Sequence, residues 1–178
     1  MIENILIRDS LLLVFENILK FKEQEEMVEG KAREMTQNDE RVKRLMTTPG
    51  VGLMTALMMV GVIDDISRFK TAKEFASYLG LVPSIHASAD VRMMGSITRS
   101  GCEMLRRYLI HGARAFMRYS PQTKDKNRQW AEKVKERRGM NKATVALAHR
   151  MARICFAILR DESVYRGSKK KTTVAIAA

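Results

Sequence analysis

Apolar residues recur at helical spacing along most of this chain, and the places where the pattern fails mark its turns. Near the start, Ile2, Ile5, Leu12, Leu13 and Leu19 share one stripe, with Glu16 and Lys20 toward water. Residues 2–46 therefore read as helix with a break. From Lys22 to Arg44 the stripe thins to Met27, Met35 and Val42, charges dominate, and Gly30 weakens the helix. Residues 1–44 thus read as a coiled-coil-like helical arm, whose seam needs a partner such as a second copy of the chain. The alternative is one amphipathic helix packing on its own domain. The cluster from Leu11 to Phe21 is interrupted by Glu16, Asn17 and Lys20, too short and too polar for a bilayer span.

Leu53 to Val62 is almost wholly apolar and predicts a buried helix, after which Asp64-Asp65 caps or bends the chain. Thr71-Ala-Lys-Glu74 has the form of a capping box, opening a helix to Leu79 with Gly80 as its stop. Residues 81–99 lack a helical period and read as a loop with a short hairpin. Ser100-Gly-Cys-Glu103 has capping-box form too, opening a helix to about Tyr119. Leu105, Leu109, Gly112 and Phe116 lie on its apolar side, and Arg107, His111, Arg114 and Arg118 on another. Pro121 ends it, and residues 121–140 are polar and basic, with Trp130 as the only large apolar anchor. Asn141 can cap a last helix to about Arg160. That helix turns Ala148, Ala152, Cys155 and Leu159 inward and His149, Arg150, Arg153 and Arg160 to a basic side. Residues 166–178 open with a basic run and read as a disordered tail. The expected fold class is all-α, a helical domain over 45–165 preceded by the arm.

Charge changes the picture. The 178 residues carry a formal net charge of +12, unevenly spread. Residues 1–90 hold 11 Lys+Arg against 14 Asp+Glu, whereas 91–178 hold 21 against 6. A basic second half points to a polyanion, nucleic acid ahead of a membrane surface, because the basic helices lack Trp-rich apolar faces. Cys102 and Cys155 fall inside predicted helices without zinc-ligand spacing, and read as buried reduced thiols. The start Met1-Ile-Glu-Asn has neither a basic region nor a small-residue cleavage site, which reads against a signal peptide and for a cytoplasmic protein.

Thr48-Pro49-Gly50-Val51-Gly52 lies between a charged and an apolar helix. Proline ends the first helix, and the glycines free the backbone and bare its N–H groups. That is the sequence form of a helix-hairpin-helix, which holds a DNA phosphate on main-chain N–H groups at the second helix's N-terminus. An ordinary turn between helices would look the same. In this reading Gly50, Val51 and Gly52 are the phosphate grip.

In order, the chain then shows TPGVG, DDISRFKTAKEFASYLGLVPS, IHAS, GSITRSG and LRRYLIHGARA. This series resembles the C-terminal transposase domain of the insertion sequence 110/116/902 (IS110-type) family of DNA recombinases. The resemblance spans Leu45 to Arg118 and extends weakly to Asn141–Tyr165. It implies that Ser88 is the nucleophile, attacking a DNA phosphodiester to form a phosphoserine link. Arg92, Arg99 and Arg106 surround Ser88 in sequence and are candidate cations for the developing charge, with Arg107 beside them on DNA. His86, two residues before Ser88, is a weaker candidate base, since a lone histidine is more often structural. DNA and a structured guide RNA are the implied partners.

Three positions depart from the family pattern. Ala89 stands where the family usually has Gly, and Met93-Met94 where it is usually basic. The family's RuvC-like domain, with its acidic metal-binding residues, has no counterpart in these residues. No cofactor or metal site is therefore expected in this chain, and Asp64 and Asp65 read as capping or turn residues. The readings left open are a serine-bearing recombinase part, a non-catalytic DNA-binding module or transposase remnant, and a helical oligomerisation protein.

Overall fold

The computed structural model describes residues 2–88, 91–98, 100–119 and 124–167, the side chains of 2–6, 85–88 and 91–94 being outside the description. The chain forms two compact units, Met1–Asp39 and Glu40–Ala178. The first is a single helix, α1 (Ile2–Thr36), which runs through Gly30 without interruption. The expected break comes instead at residues 37–39, where bonds from Gln37 N to Glu34 O and from Asp39 N to Thr36 O close the last turns. Leu11 and Phe15 are each 64 % exposed on α1.

The second unit is α-helical with one small hairpin, so the all-α class holds among the described residues. Its elements are α2 (Glu40–Met46), α3 (Leu53–Ile63), a short 3-10 turn (Ile66–Arg68), α4 (Ala72–Tyr78), β1 (Pro83–Ser88), β2 (Val91–Ile97), α5 (Glu103–Tyr119), α6 (Lys126–Arg138) and α7 (Met140–Arg160). The centre is α7, which packs on α2, α4, α5 and α6. Its buried face alternates small and large side chains, Ala143, Leu147, Ala148, Met151, Ala152, Cys155 and Phe156, so neighbouring helices approach at the alanines. Phe156 meets Phe75 of α4 with ring centroids 5.8 Å apart. Burial among these side chains pushes the Cys155 thiol up to about 12, so it stays protonated.

Local signals set several boundaries. Thr71 Oγ1 accepts from Glu74 N at 3.1 Å, and the Glu74 carboxylate reaches back to Lys70 N at 2.8 Å. The Ser100 box does not form. The carbonyl of Cys102 accepts the first helical bond, from Arg106 N, while the Ser100 hydroxyl meets that of Thr98. Likewise α7 begins at Gly139 (φ +82) rather than at Asn141. Residues 126–138 form a helix the sequence did not announce. Asp125 caps it, accepting from Asn127 N and Arg128 N at 2.8 and 3.1 Å, and Arg150 of α7 lies 4.8 Å over the Trp130 ring.

The turn between α2 and α3 is pressed onto α5. Val51 N donates to Thr48 O at 2.9 Å, with Pro49 and Gly50 (φ +84) between them, the residue pattern of a type II turn. A Cβ on Gly112 of α5 would stand 1.9 Å from Gly50 O, and one on Gly50 would stand 2.5 Å from Gly112 O. A Cβ on Gly52 would meet nothing within 4 Å. Gly112→Ala therefore lowers stability by about 2–3 kcal/mol, the range of overpacking. Gly52→Ala changes it by less than about 1 kcal/mol, the size of a helix-cap effect. Urea midpoints at constant slope measure both; equal losses would remove the turn–helix contact as the cause.

Candidate nucleic-acid interface

The turn divides its own three candidate residues. Val51 is buried at 5 % exposure and its N–H is used inside the turn, so it anchors the turn and does not face a ligand. Gly50 is taken up by α5. Gly52 is exposed and starts α3 with extended backbone and no side-chain cap. No acidic residue lies in the first turn of α3, and the N–H groups there have no carbonyl four residues back in the helix. The phosphate-binding potential of this motif thus resides at Gly52 and the start of α3, not at Gly50 or Val51.

Ser88 is the last residue of β1, paired with Val91 at the tip of an antiparallel hairpin. His86 pairs with Met93, and Ala87 with Arg92, so Arg92 occupies the register position next to that of Ser88. Ala89 and Arg99 lie outside the described residues. A two-stranded ribbon is marginal alone, and this one is fixed at its root. Leu81 N donates to Ala76 O, and Thr98 N to Val82 O. Gly80 (φ +65) and Gly101 (φ +74) let the two ends pass α4 and Ser100.

Arg106 closes that root. It is 6 % exposed, and Nη1 donates to Leu79 O at 3.3 Å and to Ser100 O at 2.8 Å. The expectation that it faces DNA is corrected: its guanidinium is consumed by two carbonyls at the hairpin base. The signal was present in the sequence, because Arg106 falls on the stripe of Leu109, Ala113 and Met117, all buried. Arg107, one residue on, is exposed, as are His111, Arg114 and Arg118. These four span about 16 Å along α5. Neither Arg107 nor Arg114 holds a carboxylate among the described residues.

The basic side expected of α7 is only partly taken up, since Arg153 is exposed and Arg160 lies at the surface. Arg150 covers Trp130, and Arg160 pairs with Asp161 at 2.7 Å. His149 is shifted down by burial and by Arg153, and is neutral at pH 7. Residues after α7 fold back on the domain. Tyr165 N donates to Thr47 Oγ1 at 2.9 Å, its hydroxyl donates to Asp125 Oδ2 at 2.5 Å, and Asn127 Nδ2 donates to that hydroxyl at 2.7 Å. Burial and the Asp125 carboxylate push the Tyr165 phenol up, so it remains a donor. Sequence reading missed this cluster, whose members lie far apart along the chain.

Asp65 accepts from Ser67 N and Oγ at 2.8 and 2.6 Å, which holds its carboxyl below the usual range and gives it a turn role. Among the described residues no three His, Cys, Asp or Glu side chains converge in a way that could hold a metal ion. Among them, too, no helix is long and apolar enough to cross a membrane.

Residues 42–128 match the family described as Transposase IS116/IS110/IS902, and the chain belongs to that family. It is 38% identical over 138 residues to the transposase for insertion sequence element IS1111A of Coxiella burnetii, covering 78% of this chain and 38% of that protein. A probable family 20 transposase of Pseudomonas aeruginosa is 38% identical over 128 residues, covering 72% and 38% of the two chains. A pilin gene-inverting protein of Moraxella lacunata is 34% identical over 126 residues, with 68% and 37% covered. The chain spans about two fifths of the length of these relatives.

Arg106→Met removes two bonds from a charged donor to buried carbonyls, and costs about 2–3 kcal/mol in thermal unfolding. Arg107→Met leaves the melting temperature unchanged but weakens DNA binding and flattens the log K against log salt slope by about 1. Reversed effects would exchange the two roles.

Proposed function

We propose that the chain supplies the DNA-binding, serine-bearing part of an insertion-sequence transposase and acts in DNA transposition. Membership in the transposase family carries this reading; the free cationic row of α5 supports it. Duplex backbone lies on Arg107, Arg114 and Arg118, without base readout, and the exposed start of α3 at Gly52, on the other side of α5, is a separate phosphate position. Ser88 at the hairpin tip is the nucleophile. Its Oγ–P bond forms as the P–O3′ bond breaks, and its proton passes to the leaving 3′-oxygen. The phosphoserine link conserves the bond energy, so religation needs no ATP. Arg92 and Arg99 are the remaining candidates to steady the phosphoryl charge, with His86 a weaker candidate for the proton. A divalent metal and a structured guide RNA enter through the family resemblance, the metal outside these residues.

A 3′-labelled DNA bearing the ends of the encoding insertion sequence is incubated with the chain and run on a denaturing gel. The expected product is a covalent adduct with phosphate on residue 88, lost in Ser88→Ala. An adduct that survives this substitution overturns the nucleophile assignment. Salt-dependent binding with no adduct in either protein favours the alternative, a non-catalytic DNA-binding module built on the α3 turn and α5.

The exposed apolar residues of α1 support self-association through residues 2–44, since such a helix is not stable in water without a cover. Leu11→Glu with Phe15→Glu converts the oligomer to monomer in sedimentation velocity; an unchanged mass would reject this pairing.

A further inference from the structure

One aromatic side chain of the second unit has neither a ring contact nor a hydrogen bond among the described residues. Phe69, Phe75, Tyr78 and Phe156 form a ring cluster, Trp130 lies under Arg150, Tyr119 lies under Arg118, and Tyr165 is bound to Asp125. Phe116 is in the core. Tyr108 is half-buried on the outer side of α5, and neither its ring nor its hydroxyl has a partner among the described residues. It lines an open hollow of ≈ 230 Å³ with Met104, Arg107 and His111. These positions are i, i+3, i+4 and i+7 of one helix face. Met104 is 49 % exposed, and Arg107 and His111 are exposed. No carboxylate lines the hollow, although Glu103 stands exposed in the preceding position.

We propose that this hollow is a stacking site for an unpaired nucleobase. The inference rests on the nucleic-acid reading of α5 and names the form of nucleic acid held there. A flat phenol ring beside a thioether and a guanidinium presents π and polarisable surface to a base, whose own face is flat and apolar. Arg107 and His111 at its rim face the flanking phosphates, and Arg114 and Arg118 continue the same cationic row toward the end of α5. A base inside an intact duplex is stacked on both sides and cannot enter a hollow on a helix surface. Single-stranded nucleic acid can, because every base has an exposed π-face once unpaired. An apolar peptide would fill the hollow but leave the cationic row without counter-charge.

The test measures binding of the full chain to single-stranded oligo-dT, single-stranded oligo-U and a blunt duplex by fluorescence anisotropy across a salt series. Tyr108→Ala is expected to weaken both single strands about tenfold, the size of one lost base–aromatic stack, with duplex affinity unchanged. The salt slope stays the same, because no phosphate contact is removed. Tyr108→Phe and Tyr108→Trp retain wild-type affinity. Loss of oligo-dT binding alone assigns the site to DNA, and of oligo-U alone to RNA. Unchanged single-strand binding in Tyr108→Ala overturns the stacking site, as does an equal loss on the duplex or the same loss in Tyr108→Phe. Arg107→Met separates the two levels: if it weakens every ligand while Tyr108→Ala weakens none, only the stacking site fails. If neither the wild-type chain nor any variant binds any of the three at low salt, the nucleic-acid reading of α5 fails with it. Circular dichroism of Tyr108→Ala, whose ring is not in the core, checks that the helix is intact.

Discussion

The close approach of Gly50 to Gly112 is the constraint on which the arrangement of the functional surface depends. Main chain touches main chain there, with no room for a methyl on either side. The contact fixes where α3 starts, because Gly52 follows the turn within two residues. It also fixes the rotation of α5 about its own axis, since Gly112 must face the turn. Once that rotation is set, Arg106 is directed to the carbonyls of Leu79 and Ser100, and Arg107 is left in solvent. Two adjacent arginines of identical chemistry thereby acquire opposite duties. One holds the hairpin root, and the other is left exposed to solvent.

The parts legible in the sequence are those whose cause is local. Pro49 and Gly50 specify their turn by backbone chemistry alone, and Thr71 with Glu74 caps α4 through residues three apart. The long apolar run at 53–62 forms the expected helix, buried at Leu53, Ala56 and Met59 and half-buried at Met54, Leu57, Met58, Val60 and Val62. The parts that were not legible depend on distant partners. α6 is nearly all polar, and its anchors are Asp125 with Tyr165, and Trp130 with Arg150. No window of sequence contains both members of either pair. The Ser100 box failed for a related reason: the Ser100 carbonyl is claimed by Arg106, and Gly101 must take φ +74 to pass Tyr78. A distant packing demand overrode a good local capping signal.

Charge shows the same division. The excess of +15 in the second half of the chain suggested two basic helical faces. Several cations there are structural: Arg106 on carbonyls, Arg128 on Glu132, Arg150 on an indole and Arg160 on Asp161. Composition counts charges without asking what each guanidinium already holds. Cations are left exposed on α5 (Arg107, Arg114) and also on α6 and α7 (Lys133, Arg138, Arg153), so net charge overstates the free basic area without assigning it to one helix.

The candidate reactive serine and the candidate binding residues sit on different kinds of element, which bears on the proposed mechanism. Gly52 and Arg107 are carried by helices packed on α7 or locked by the glycine contact. Ser88 is carried at the far end of a two-stranded ribbon whose fixed points lie at Leu81, Val82, Thr98 and Arg106. DNA held on the packed helices, as proposed, would still leave Ser88 to be oriented by contacts of its own. Placing an attacking oxygen in line with a phosphorus requires sub-ångström positioning, so part of the binding energy has to go into immobilising the ribbon. In the proposed reaction that cost would fall on contacts made by the hairpin itself.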